Sequence, residues 1–211
     1  MRFSIHPEGW RFVGIFFLIS LIFYWAASGL GLIGFALTGW CLYFFRSPQR
    51  VIPTRNDVLV SPADGIVCAI IDAVPPADLD LGKSTRTRVS IFLNVFDVHV
   101  NRIPLAGTIS KYIYHPGKFF NASLDKASEH NERLTLVIHH AKMTYALTQI
   151  AGLIARRIRC DVHERDVVTT GQLYGLIRFG SRVDVWLPEK AQLQVLKGQR
   201  MIAGETILAT F

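Results

Sequence analysis

The stretch RVSIFLNVFDVHVNR, running from Arg88 to Arg102, decides how the chain is read. Strand geometry sends alternate side chains to opposite faces, so Val89, Ile91, Leu93, Val95, Asp97, His99 and Asn101 share one face. That face is apolar at its start and polar at its far end. One strand over 88–100 is expected, with Asp97 and His99 at the rim of an apolar surface. A histidine beside an aspartate there can act as a general acid or base, and a histidine satisfied by structural partners fits the same pattern.

Outward from this stretch the texture is similar. Short β-branched runs separated by Gly, Pro, Asn and Asp predict strands over 58–60, 66–73, 107–114, 134–140, 143–150, 158–162, 183–187 and 206–210. Helical patterning is confined to 123–133 and 150–157. The stretch 74–87, with Pro75-Pro76 and Lys83-Ser84-Thr85, reads as a mobile loop. The expected fold is mainly β: a β-sandwich or partly open barrel with one or two short helices. Segments 60–67 and 198–207 are both strand, glycine turn, strand pieces, similar to the hairpins of biotinyl/lipoyl-type barrel-sandwich domains. That likeness concerns fold alone.

Upstream the chain changes character. From Phe12 to Phe45 there is no charged residue, a run of 34. One straight helix of that length would measure about 51 Å, against a hydrocarbon core of about 30 Å. A break is expected at Ser28-Gly29-Leu30-Gly31, giving membrane helices over roughly 12–27 and 32–45 joined by a tight hairpin. Arg2, Arg11, Arg46, Arg50 and Arg55 then lie on one side, which the positive-inside rule makes cytoplasmic. The apolar run is too long for a signal peptide, and no small-residue cleavage site accompanies it. Two domains are therefore expected, a membrane-anchoring hairpin at 1–50 and a β domain at 51–211.

Composition narrows the function. Half of the residues are apolar and 18% are charged, which excludes a disordered chain. Basic residues number 23 and acidic residues 16, a net charge of +7 that calls for an anionic partner. No basic stripe is interleaved with aromatics, so an acidic membrane surface accounts for the charge without nucleic acid. Three cysteines make neither a disulfide framework nor a zinc quartet, and no metal is expected.

Two further places can hold chemistry. In Phe179-Gly180-Ser181-Arg182, parity turns Ser181 the same way as Val183, Val185 and Leu187, so a serine faces inward directly after a glycine. In Pro62-Ala63-Asp64-Gly65, the Asp-Gly pair is first of all a turn signal.

Taken in order, these pieces are far more specific than singly. The chain carries an apolar N-terminal pair, SPADG at 61–65, DVHVNRIP at 97–104, HPGKFFNAS at 115–123, NER at 131–133, FGSR at 179–182 and a glycine-rich C-terminal hairpin. Over nearly its whole length it resembles the phosphatidylserine decarboxylase family, in the short, membrane-anchored form. The resemblance implies a pyruvoyl-dependent enzyme made as a precursor that cuts itself between Gly180 and Ser181. The Ser181 hydroxyl would attack the Gly180 carbonyl to give an ester. Elimination and hydrolysis would then leave a covalent pyruvoyl group at residue 181. That group would form a Schiff base with the serine headgroup and act as an electron sink for loss of CO2, releasing phosphatidylethanolamine.

By the same resemblance His99 matches the histidine of the decarboxylation step, Asp64 the acidic member of the self-cleavage group, and Phe120 and Asn121 the substrate-contacting segment. Longer family members carry a second histidine three residues beyond the first. Here that position is Arg102, a poor base. Self-cleavage then rests on Asp64, on His99 doing double duty, or on another group such as His115. The implied partners are phosphatidylserine, an anionic membrane surface and a second two-chain protomer. The implied place is the inner membrane of the cell, with the catalytic domain on the cytoplasmic side. A non-enzymatic, membrane-tethered, lipoyl-like adaptor would explain the anchor and the hairpins, but not SPADG, DVH and GS in this order.

Overall fold

The apolar N-terminal run folds as two antiparallel helices, α1 (Pro7–Ala26) and α2 (Ser28–Phe44), in a computed structural model that describes residues 4–117, 131–141, 143–152, 157–178 and 180–211. The first helix starts earlier than expected because His6 caps it, its ring accepting from the Glu8 N–H, and Pro7 occupies the first helical position. At 1.5 Å per residue, α1 is about 30 Å long, enough to cross a bilayer, and α2 is shorter.

The break falls at one residue, Ala27, in extended conformation, and not across 28–31. The glycines do other work. A Cβ at Gly31 would sit 2.3 Å from Tyr24 Cα, and one at Gly34 would sit 2.5 Å from Ser20 Oγ. Small residues thus let the two helices touch, as membrane helix pairs require. Ser20 and Thr38 meet there through their hydroxyls at 3.3 Å. Backbone bonds from His6 N to Phe45 O (2.9 Å) and Ser47 N to Ser4 O (2.7 Å) close the open end.

The chain divides into two compact units, Met1–Gln49 and Arg50–Phe211. Fourteen strands form the second among the described residues. Eight belong to one sheet: β2 (Gly65–Ala73), β3 (Arg86–Leu93), β5 (Gly107–His115), β6 (Arg133–His140), β7 (Met143–Ile150), β9 (Val167–Val168), β11 (Ser181–Trp186) and β13 (Arg200–Met201). Their order is β13-β2-β3-β11-β7-β6-β5-β9, and every pairing is antiparallel. A small sheet joins β1 (Val58–Val60), β14 (Ile207–Thr210) and β12 (Gln192–Leu193). Another joins β4 (Val100–Arg102), β10 (Leu173–Ile177) and β8 (Ile158–Cys160). One apolar core serves all three sheets, with Leu59, Val67, Ile91, Leu93, Tyr174 and Val183 fully buried in it. The mainly β expectation holds.

Three local expectations fail for identifiable reasons. The stretch 88–102 is two strands in two sheets, because Asn94 and Asp97 close a turn between them. Asn94 N donates to the Asp97 carboxylate (2.9 Å), Asp97 N to Asn94 O (3.0 Å) and Phe96 N to the Asn94 side chain (2.8 Å). The stretch 74–87 is a packed strap: a 3-10 turn at Ala77–Leu79 presses Leu79 and Leu81 onto Val137, Ala146 and Trp186, on the outer face of the large sheet. Asn131 lies in a β-bridge and Arg133 opens β6, so the helix expected over 123–133 does not extend to its end. Residues 123–130, and 153–156 of the other expected helix, lie outside the described residues. The segments 60–67 and 198–207 bind each other, with Val67 N to Gln199 O at 3.0 Å and Gly204 N to Ser61 O at 2.8 Å.

A chain carrying Ser20→Cys and Thr38→Cys should crosslink on mild oxidation. Adding Gly31→Leu should lower the crosslink yield several-fold, because the helices can no longer approach. An unchanged yield on a non-reducing gel would contradict this packing.

Candidate active site

Ser181 opens β11, between β3 and β7 in the middle of the large sheet. It lies opposite Leu93, and its neighbours on the same face, Val183 and Val185, are in the core. The expected inward orientation is observed. The side chain is fully buried, and its Oγ has no hydrogen-bond partner among the described residues. A buried hydroxyl without a partner lowers stability, so one that persists calls for an explanation. Gly180, just before it, has φ 58°, a conformation that costs glycine little, and a Cβ added there would meet nothing within 4 Å among the described residues, its chain neighbours aside. The link between residues 180 and 181 therefore carries a nucleophile type on one side and a positive-φ glycine on the other.

His99 is fully buried just before β4, and its backbone carbonyl accepts from Ile177 N at 3.3 Å. Its Nδ1 lies 2.9 Å from the Asp97 backbone carbonyl. A carbonyl only accepts, so Nδ1 carries the proton and Nε2 is the basic nitrogen. The Asp97 carboxylate is turned elsewhere, toward Asn94 N and Arg200 Nη2 (2.5 Å). The sequence placed an aspartate beside the histidine correctly, but its backbone, not its acid, fixes the ring.

Asp64 is nearly buried and fully engaged. Arg50 grips it through Nη2 at 2.7 and 2.9 Å, and Ala203 N donates at 2.8 Å. Burial pushes its carboxyl up, against the opposing pull of the Ala203 N–H and Arg50. Gly65 follows it in β2, on the far side of β3 from β11, so Asp64 stands about two strand spacings, ~10 Å, from Ser181. Arg102 donates to the Gly171 carbonyl (2.7 Å), and burial, with Arg50 nearby, draws its pKa down. His115 ends β5, three strands from β11, with Nε2 3.0 Å from Asp78. Phe120 and Asn121 lie outside the described residues. No three His, Cys, Asp or Glu side chains among the described residues gather to hold a metal.

Sequence reasoning missed three side chains here. Arg50 was read only as a topology charge, although a lone acid in a buried turn needs a cation. Arg200 sits in a turn-rich tail with no pattern of its own. Gln149 follows the alternation of β7 as a core position filled by an amide: it is fully buried and donates to Asn101 Oδ1 at 2.8 Å.

Comparison with known proteins gives this arrangement a context. Residues 37–209 match the model of the phosphatidylserine decarboxylase family. A phosphatidylserine decarboxylase proenzyme of Ruegeria pomeroyi is 56% identical over 206 residues, covering 97% of this chain and 94% of the relative. Proenzymes of the same name from Rickettsia akari and Nitrobacter winogradskyi are each 55% identical over 208 residues, covering 98% of this chain and 90% and 84% of the relatives.

Replacing Arg50 by Met should leave Asp64 buried without its cation and cost about 3 kcal/mol at neutral pH. The loss should shrink as the pH falls through the raised carboxyl pKa, because the protonated acid no longer needs a counter-charge. Thermal melting at two pH values checks this, and a pH-independent loss would contradict it.

Proposed function

The chain belongs to the phosphatidylserine decarboxylase family, and from that premise we propose that it cuts itself between Gly180 and Ser181 and then decarboxylates phosphatidylserine to phosphatidylethanolamine. The observation that carries the reading is the buried Ser181 hydroxyl, without a hydrogen-bond partner among the described residues, directly behind a positive-φ glycine. A serine hydroxyl is a weak nucleophile and needs a base and a well-held carbonyl.

The cut begins when Ser181 Oγ bonds to the Gly180 carbonyl carbon. The peptide C–N bond breaks, and the hydroxyl proton passes to the Ser181 nitrogen. The base that relays this proton is His99, at Nε2. Of the three candidates raised by Arg102, Asp64 is held by Arg50 and His115 is three strands away beside Asp78, whereas His99 is buried with its basic nitrogen defined. Loss of the Cα proton and of the ester carboxylate leaves an enamine, a proton returned to its methylene carbon turns it into an imine, and hydrolysis with release of ammonia leaves a pyruvoyl group at residue 181.

The residues present fit that group: Ser181 is its source, and its buried hydroxyl has no hydrogen-bond partner among the described residues. When formed, it supplies an electron sink for the pair left by departing CO2. His99 Nε2 then holds the proton that the headgroup carbon receives. Asp64 is the acidic member of the self-cleavage group and acts through position. It ties the 61–65 turn to Arg50 and to the Ala203 N–H of the C-terminal hairpin. By the family resemblance Phe120 and Asn121 contact the substrate, and two-chain protomers pair.

A diacyl lipid stays in the bilayer, so the enzyme must work at a membrane surface. The apolar helices supply the anchor, with Leu18, Ile22 and Trp25 of α1 exposed. Arg11, Arg46, Arg50 and Arg55 flank them in the sequence, which supports a cytoplasmic placement on the inner membrane with anionic lipid as the surface partner.

Ser181→Ala should remain one uncut, folded chain with no decarboxylase activity. His99→Gln should slow the cut at least 100-fold, the usual scale for removing a positioned base. A gel time course checks both. Wild-type cutting in His99→Gln would place the base elsewhere, and CO2 release by Ser181→Ala would remove Ser181 from the mechanism.

A further inference from the structure

The ring of His99 hangs on a turn that Asp97 closes. His99 Nδ1–H donates to the Asp97 backbone carbonyl at 2.9 Å. One oxygen of the Asp97 carboxylate accepts from Asn94 N at 2.9 Å, and Asp97 N donates back to Asn94 O at 3.0 Å. The other oxygen accepts from Arg200 Nη2 at 2.5 Å. Both oxygens are therefore engaged, one within the turn and one from outside it.

The two ends of this ion pair are unequal. The Asp97 side chain is 1% exposed, whereas that of Arg200 is 62% exposed. A carboxylate withdrawn from water is costly without a counter-charge. Among the described residues Arg200 is the only cation bonded to Asp97. Arg200 is itself held by its backbone. It lies in β13 opposite Ile66 of β2, and the turn before it is tied to the same strand, with Gly198 N to Val67 O at 2.8 Å and Val67 N to Gln199 O at 3.0 Å. A continuous series of bonds thus runs from β2 through the C-terminal hairpin and Arg200 to Asp97 and the His99 ring.

We propose that Arg200 is a positioning residue for self-cleavage, which seats His99 by clamping the Asp97 turn. This rests on the reading of His99 as the base and deepens it. With the counter-charge in place the turn stays closed, and the Asp97 carbonyl keeps the ring proton on Nδ1. Nε2 is then left to take the proton of the Ser181 hydroxyl. Without Arg200 the buried acid draws in water, and the turn loosens beneath the ring. The cation lies in residues 181–211 and the histidine in residues 1–180. The base is therefore complete only when the last hairpin has docked on β2, so the cut follows the folding of the whole β domain. After the cut the same bond keeps the ring seated across the boundary between the two chains.

The test uses the full chain in detergent, with the cut followed on a gel. Arg200→Met should cut about 10- to 100-fold more slowly than wild type, the scale for misplacing a reacting group by up to about 1 Å. Arg200→Lys, which keeps the cation, should recover most of the rate. Asp97→Asn keeps an acceptor for Asn94 N and needs no counter-charge, so it should cut faster than Arg200→Met. Adding Arg200→Met to Asp97→Asn should then change the rate less than about twofold, because the clamp has nothing left to hold. NMR of uncut Ser181→Ala with isotope-labelled histidine should show the His99 proton fixed on Nδ1. Adding Arg200→Met should abolish that fixed tautomer while the protein still melts cooperatively.

Cutting by Arg200→Met at the wild-type rate overturns the proposal, as does an unchanged His99 tautomer. So does an Arg200→Met effect that persists in full beside Asp97→Asn, since Arg200 would then act on something other than the turn. Loss of cooperative melting marks a folding role and also overturns it. Should His99→Gln cut like wild type, the reading of His99 as the base falls. A slow His99→Gln beside a fast Arg200→Met removes the clamp alone.

Discussion

β11 is hydrogen-bonded along both edges, to β3 from Ser181↔Leu93 to Trp186↔Arg88 and to β7 from Arg182↔Ile150 to Trp186↔Ala146. It is also covered on both faces, so all six of its residues are buried. No other constraint matters as much to the site. A strand held this way cannot shift, and its first residue is Ser181. The preceding residue, Gly180, takes the bend with its positive φ. The backbone therefore passes from a tightly fixed strand to a glycine bend across a single peptide bond. The Ser181 hydroxyl is presented to the buried interior, where hydrogen-bonding groups act with full strength.

The two faces of β11 divide the labour. Inward are Ser181, Val183 and Val185, with the Gln149–Asn101 pair and His99 reaching the same interior from β7 and from the segment that leads into β4. Outward are Arg182, Asp184 and Trp186. Arg182 is fully buried and holds Asp184 through two hydrogen bonds of 2.7 and 2.9 Å, a pair whose loss on either side would leave a buried charge. The strap carrying Leu79 and Leu81 seals this face over Trp186. Apolar packing and ion pairing on the outside thus brace a strand whose inside faces buried polar groups with no hydrogen-bond partner among the described residues.

Much of this was legible in the sequence because strand alternation is a local property. Parity alone turned Ser181 inward, and β1 and β7 were found to the residue. The failures share a cause: a few polar contacts outweighed the pattern. Val95 and Asp97 continue the alternation of β3, yet two Asn94–Asp97 hydrogen bonds turn the chain into another sheet, and His99 arrives by a different route than a single strand would give it. Gly29 and Gly31 look like a turn, but tight packing against α1 uses Gly31 and the break moves to Ala27. Arg50 with Asp64, Arg200 with Asp97 and Gln149 with Asn101 join residues far apart in the chain, and pairings of that kind leave no local trace.

The most direct measurement is a denaturing mass spectrum of purified, catalytically active protein. The expected result is two chains, residues 1–180 and residues 181–211, the shorter lacking a free N-terminal amine. A sample that releases CO2 from phosphatidylserine while its mass remains the undivided 23.7 kDa would contradict the central claim.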